Sequence, residues 1–241
     1  MITNYNDLPL GAYLDIVAIS DDDTREANDK NLAILSILTG QSEDDLLNLL
    51  IGEFSLLMQK AAFLSEPLPR KDKPEKSYHL GPFTLDVMAD VAKMTAGQYI
   101  DFQTFAASND IAGMLSTILL PHGHTYGEGY DPADVRASIL AQLPIVEANA
   151  LAAFFFEKMR AFNQGFANLF GLEATQGDAP DEEDDEDNPA ARFGKKWGWI
   201  YQVDQVAECQ RVSWDNVMAK NIVEFLNTLC YLRDKQQSLK R

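Results

Sequence analysis

Asp178-Ala-Pro-Asp-Glu-Glu-Asp-Asp-Glu-Asp187 divides this chain. Eight of its ten side chains are carboxylates, and no Lys or Arg occurs between Arg160 and Arg192. Like charges at this density repel one another. The segment also has no apolar face whose burial could offset the entropy of ordering it. Residues 173–188 are therefore expected to form an acidic, disordered linker between a helical body, residues 1–172, and a helical-hairpin tail, residues 189–241. The charge differs along the chain. Residues 1–160 hold 11 basic and 23 acidic side chains, residues 161–191 add nine acids and no base, and residues 189–241 hold nine basic and five acidic. An acidic body carrying a mildly basic tail suggests a protein that handles partners.

The 241 residues allow one sizeable domain and an accessory element, and an apolar fraction of 46% is enough for a buried core. A net charge of −17 argues against nucleic acid and against an anionic membrane as partners, since both are bound by cationic surfaces. Cys209 and Cys230 lack CxxC spacing and read as reduced packing residues. Met1-Ile-Thr-Asn-Tyr-Asn-Asp7 has no basic n-region or apolar core, so no signal peptide is expected. The longest apolar runs, such as Leu151-Ala-Ala-Phe-Phe-Phe156, are too short to span a bilayer. A soluble, cytoplasmic protein is the expectation.

The fold class expected is mostly α: a multi-helix body with one small β-hairpin, the acidic tether, and a two-helix tail. Residues 24–39 are periodic at Asn28, Leu32, Leu35 and Leu38 and end at Gly40, a favoured helix terminator. Ser42 followed by Glu43, Asp44 and Asp45 reads as a capped helix start. Leu46, Leu47, Leu50, Phe54, Leu57, Met58, Ala61 and Leu64 then place about six turns of helix in the core, with Gly52 as a candidate break. Apolar residues flank Gly81-Pro82, so residues 77–86 read as the hairpin. Thr95 caps the next helix, residues 110–120 form a short helix stopped by Pro121, and Asp131-Pro132 opens another. Residues 147–170 form a helix that is apolar nearly all round (Leu151, Phe154, Phe155, Phe156, Met159, Phe162) and so is expected to be covered. In the tail, residues 193–210 and 213–237 form two helices.

Candidate chemistry is sparse. His122-x-His124-x3-Glu128 has a spacing that can bind Fe, Zn or Mn in cupin barrels. Its flanks here are helical, and the remaining histidine, His79, lies upstream, so loop histidines beside glycine are the simpler reading and no metal is expected. The acidic run lacks the glycine of an EF-hand loop. No GxxxxGK[ST] phosphate loop or GxSxG nucleophile elbow occurs. Lys195, Lys196, Trp197 and Trp199 could stack on a nucleic acid, but helix packing explains them more simply. No catalytic residue and no cofactor is assigned. The tail does present Trp197, Ile200, Trp214, Ile222, Phe225 and Leu229 at helical spacing, and this stripe is the candidate partner-binding surface.

Several stretches resemble the tail assembly chaperones of tailed bacteriophages and prophages, in particular those of Bacteroides-type phages. They are Ile34-Leu-Ser-Ile-Leu-Thr-Gly40, the Pro67-Leu-Pro69 break before the hairpin, and Met94-Thr-Ala-Gly-Gln-Tyr-Ile-Asp101. In the tail they are Lys196-Trp-Gly-Trp199, Ser213-Trp214, Glu224-Phe-Leu-Asn227 and Leu232-Arg-Asp-Lys235. The resemblance implies a non-enzymatic helper in the host bacterial cytoplasm that binds tail tube protein, tape-measure protein or both during virion assembly. A tail joined by an acidic tether is similar to the family's long form, and the family brings no catalytic residues. Two further readings are a virion component such as a head–tail adaptor, and an acidic DNA mimic that inhibits a DNA-binding enzyme. The mimic needs carboxylates spaced along a rigid surface, which a tether does not supply.

Overall fold

Helix ends in this protein follow local chemistry closely. The computed structural model describes residues 1–170 and 189–239; the acidic linker, residues 173–188, lies outside the described residues. The elements are α1 (Leu10–Asp21), α2 (Ala27–Thr39), α3 (Glu43–Leu47), α4 (Ile51–Ala61), β1 (Ser77–Leu80), β2 (Phe83–Val87), α5 (Ala96–Ala107), α6 (Ile111–Ile118), β3 (Leu119–Pro121), α7 (Pro132–Gln142), α8 (Ile145–Gln164), α9 (Ala167–Phe170), α10 (Pro189–Gln210), α11 (Trp214–Met218) and α12 (Ile222–Leu239). The Ser42, Thr95, Asp131 and Ser213 side chains each accept a backbone N–H from the first turn of the helix they precede, which satisfies donors that would otherwise be orphaned. Gly40 closes α2 in the left-handed conformation, φ 72°. The fold is mostly α with a small antiparallel sheet, as the sequence patterns imply.

The chain forms two packed units. The first comprises Met1–Val87 and Ile111–Phe154; the second comprises Met88–Asp110 and the described part of Phe155–Arg241. In the first unit the expected hairpin is present, with Leu80 opposite Phe83 and Ser77 opposite Asp86. It gains a third strand, because β2 also pairs with β3 in the register Leu85–Pro121, Asp86–Leu120, Val87–Leu119. The sequence reading carried the preceding helix on to Leu120. The helix ends at Ile118 instead, because the buried Leu119 and Leu120 continue as strand and His122 N–H donates to Thr84 O at 2.8 Å. An apolar run this short has no periodicity to separate strand from helix.

Helices α1 and α7 pack together with Leu10, Ile16, Val135 and Ile139 buried. Their approach is close enough that a Cβ on Gly11 would lie 2.8 Å from the Leu140 carbonyl oxygen. The Leu10 N–H donates to Leu143 O and the Ile145 N–H to Leu8 O, tying the start of α1 to the turn that opens α8. Both partners of that pairing are backbone, so the register does not depend on side-chain identity.

The largest departure from the sequence reading lies at residues 43–64. The expected six-turn helix is interrupted at Asn48–Leu50, short of Gly52. Of its eight apolar positions only Leu46 and Ala61 are buried; Leu47 is 68% exposed, Leu50 is exposed, and Phe54, Leu57, Met58 and Leu64 are half-buried, while Ile51 beside them is 88% exposed. Helical spacing identifies an apolar face but not whether anything covers it.

In the second unit α5 is the centre. Tyr99 is fully buried, and its hydroxyl donates to Asn163 Oδ1 at 2.9 Å. Its ring meets Trp199 edge-on at 5.7 Å and Phe162 at 6.2 Å. Burial pushes the hydroxyl pKa up to about 12. Phe102 packs on Phe155, at 5.0 Å between centroids. The apolar helix expected over residues 147–170 is α8, which ends at Gln164, followed by a turn and α9; Leu151, Phe155 and Met159 are buried while Phe156 remains exposed.

Two glycines give opposite expectations. Gly11→Ala forces its new methyl into a backbone carbonyl and is expected to destabilise the protein by about 1–3 kcal/mol. Gly52→Ala, in an exposed helical position with nothing within 4 Å of the new Cβ, is expected to stabilise by roughly 0.5–1 kcal/mol. Urea denaturation midpoints of the two variants check both signs.

Candidate functional site

The six tail residues singled out in the sequence separate into two groups. Ile222, Phe225 and Leu229 are buried, together with Val203, Val206, Val217 and Leu226. They form the packing core of the second unit and offer no free surface. Trp197, Ile200 and Trp214 are 40%, 45% and 47% exposed. The helical period fits both groups, yet one faces the core and the other faces out.

Local structure explains the separation. The second tail helix of the sequence reading is broken between Met218 and Ile222, and the break forms a short bridge in which Asn221 pairs with Thr95. Ala96 N–H donates to Lys220 O at 2.7 Å, and Ile222 N–H donates to Met94 O at 2.9 Å. The Asn221 side chain donates to Ala92 O at 2.7 Å and accepts the Val223 N–H at 2.9 Å, so one residue both fastens the bridge and caps α12. Gly97 lets Met218 approach: a Cβ there would lie 3.3 Å from the Met218 methyl carbon and from its carbonyl oxygen. These contacts turn Ile222 and Phe225 inward.

Trp197, Ile200, Tyr201 and Asp204 lie three or four residues apart on α10 and share one face. Trp214 joins them from α11, its indole N–H donating to Asp204 Oδ1 at 3.1 Å. Tyr201 is exposed and its hydroxyl accepts from Gln205 Nε2 at 2.7 Å. The result is an outward patch of two indoles, a phenol and an isoleucine, each with an apolar body and, for the aromatics, a polar tip. Aromatics of this kind are enriched at protein interfaces because they bury much area at little entropic cost. Trp199, two residues beyond Trp197 on the same helix, faces inward onto Tyr99.

The histidine pattern does not converge. His122 Nδ1 lies 2.7 Å from Asp86 Oδ2, whereas His124 Nδ1 lies 3.1 Å from the Glu128 backbone carbonyl and the Glu128 carboxylate accepts from Thr125 Oγ1. Among the described residues no group of three or more His, Cys, Asp or Glu could hold a metal ion.

A cluster that the sequence reading missed surrounds Glu147. Lys71 Nζ lies 2.7 Å from Glu147 Oε1 and 2.8 Å from Glu75 Oε1, and the Tyr78 hydroxyl donates to Glu147 Oε2 at 2.9 Å while accepting the Glu75 N–H. Burial pushes the Tyr78 hydroxyl far above its ordinary range, and the hydrogen bond to Glu147 raises Lys71. The cluster ties the loop before β1 to Glu147 of α8. Its members are 69 to 76 positions from Glu147, and no local pattern announces such a pairing.

No helix among the described residues is long and apolar enough to cross a membrane. Comparison of the chain with protein-family models, with curated proteins and with solved structures finds no match.

The two groups of tail residues should separate in measurement. Phe225→Ala removes a fully buried ring and is expected to cost about 3–5 kcal/mol. Trp214→Ala, at a half-exposed site with one surface hydrogen bond, is expected to cost about 1 kcal/mol or less. Chemical denaturation followed by far-UV circular dichroism checks the contrast.

Proposed function

We propose that the protein is a non-enzymatic assembly chaperone of a bacteriophage tail, acting in the host bacterial cytoplasm on tail tube protein, tape-measure protein or both. The observation that carries the reading is the outward aromatic face Trp197–Ile200–Tyr201–Trp214, held on helices whose other side is buried. A helper that exchanges clients needs apolar surface in the folded state, and here that surface stands on a fixed frame. Two stretches on which the family likeness rests, residues 94–101 and 196–199, also meet within one unit through Tyr99 and Trp199.

Deletion of residues 176–241 would be an unclean test, because it strips Val206, Phe225 and Leu226 from the core of the second unit. Surface variants keep the fold. The experiment co-expresses the full chain with the tail tube and tape-measure proteins of the same phage genome and compares wild type with the double variant Trp197→Ser, Trp214→Ala. Wild type is expected to capture a tail protein, and the variant is expected to lose about tenfold or more of that capture. The chaperone is also expected to be absent from purified particles. Stoichiometric presence in the virion would favour the head–tail adaptor instead, and equal capture by both forms would remove the aromatic face from the account.

A further inference from the structure

The first unit carries a second uncovered apolar surface, of a different chemical character. Helices α2, α3 and α4 enclose an open groove of about 390 Å³, with Leu32 and Leu46 buried at its base and Leu47, Leu49, Ile51 and Phe54 along its walls. Leaving Ile51 and Leu47 in water sacrifices most of the transfer free energy that large aliphatic side chains gain on burial. Such a feature on a folded protein signals a partner.

Charge on the helices that form the groove defines the partner's charge. Asp29 lines the groove, and Glu43, Asp44, Asp45 and Glu53 are exposed on the helices that form it; none of the five makes an ion pair among the described residues. No Lys, Arg or His occurs between Lys30 and Lys60, so the stretch 31–59 holds four acids and no base. Lys30 itself is turned to the Ser20 carbonyl. A second copy of this chain would bring the same acidic helices to an isologous contact, where like charges repel.

The backbone defines the partner's shape. At the α3–α4 break Asn48 N–H donates to Asp45 O, Leu49 N–H to Leu46 O, and Leu50 N–H to Glu53 Oε2. The turn therefore offers no row of unpaired amides onto which an extended peptide could add as a strand. A groove between helices with apolar walls takes the apolar stripe of a helix.

We propose that this groove binds an amphipathic helix of another protein whose apolar stripe is flanked by Lys or Arg. The apolar stripe fills the space between Leu47, Ile51 and Phe54, and the basic flanks meet Asp29, the three acids of α3 and Glu53. The site is separate from the aromatic face of α10 and α11, and it stands whether or not the clients are tail proteins.

The test titrates the full-length protein with two fluorescent synthetic helices of roughly 14 residues, or about four turns. One combines Leu with Lys and the other carries Glu at every Lys position; both are measured at about 0.15 M salt, where long-range attraction is screened. The Lys peptide is expected to bind with micromolar affinity and the Glu peptide about tenfold or more weaker. Leu47→Ser combined with Ile51→Ser retains every charge and alters exposed positions. It is expected to lower affinity for the Lys peptide about tenfold or more while leaving the circular dichroism spectrum and Tm unchanged. The Trp197→Ser, Trp214→Ala variant is expected to bind the Lys peptide like wild type. Failure of the Lys peptide to bind, equal binding of the two peptides, or unchanged affinity in the Leu47/Ile51 variant overturns the proposal. Self-association of the wild type that the Leu47/Ile51 variant abolishes assigns the groove to a second copy and overturns it as well.

Discussion

Two backbone hydrogen bonds flank Asn221, from Ala96 N–H to Lys220 O and from Ile222 N–H to Met94 O, and the second unit is arranged around them. They fix where α11 stops and where α12 begins relative to α5. With that register set, Ile222, Phe225, Leu226 and Leu229 enter the core on one side of α12. The bridge lies where the chain is neither helix nor sheet, so its amides and carbonyls would be unpaired without this contact. Burying them unpaired would cost more than the bonds themselves contribute, which makes the geometry strongly specified.

The consequence for function is that tail helices with apolar residues on both sides become one buried face and one outward face. Trp199 goes in and Trp197 goes out, two residues apart on α10. A similar division occurs in the first unit, where Leu46 is buried and its neighbour Leu47 is exposed. Natural proteins seldom leave aliphatic or indole groups in water without use, since each one forgoes favourable transfer and invites aggregation. Several of the uncovered groups gather into two patches with different surroundings, an aromatic face with polar tips and an aliphatic groove on acidic helices.

Much of the fold was legible because local signals were strong. Ser42, Thr95, Asp131-Pro132 and Ser213 start helices where the side chains accept the expected N–H groups, and Gly40 ends one. What could not be read was which apolar face is covered. The helical period across Leu46 to Leu64 fits a core helix, yet the helix breaks at Asn48–Leu50 and only Leu46 and Ala61 of its face are buried. The stripe Trp214–Ile222–Phe225–Leu229 likewise runs across a break that no Gly or Pro marks; the Asn221 bridge to Thr95 makes it, over more than 120 positions of sequence. The third strand was hidden for the same reason, since Leu119 and Leu120 become strand only because β2 lies beside them. Trp197, Ile200 and Tyr201 fall at helical spacing on α10, but spacing alone does not separate such outward residues from the buried Ile222, Phe225 and Leu229.

The central claim is that the tail helices are an integral part of a folded unit, the second one. Hydrogen–deuterium exchange of the free, full-length protein tests it most directly. If the claim holds, amides of α12 and the Ile222 and Ala96 amides at the bridge exchange with the same opening free energy as the amides of α5, because they open together. Exchange of α12 at the rate of an unprotected peptide while α5 stays protected would contradict it.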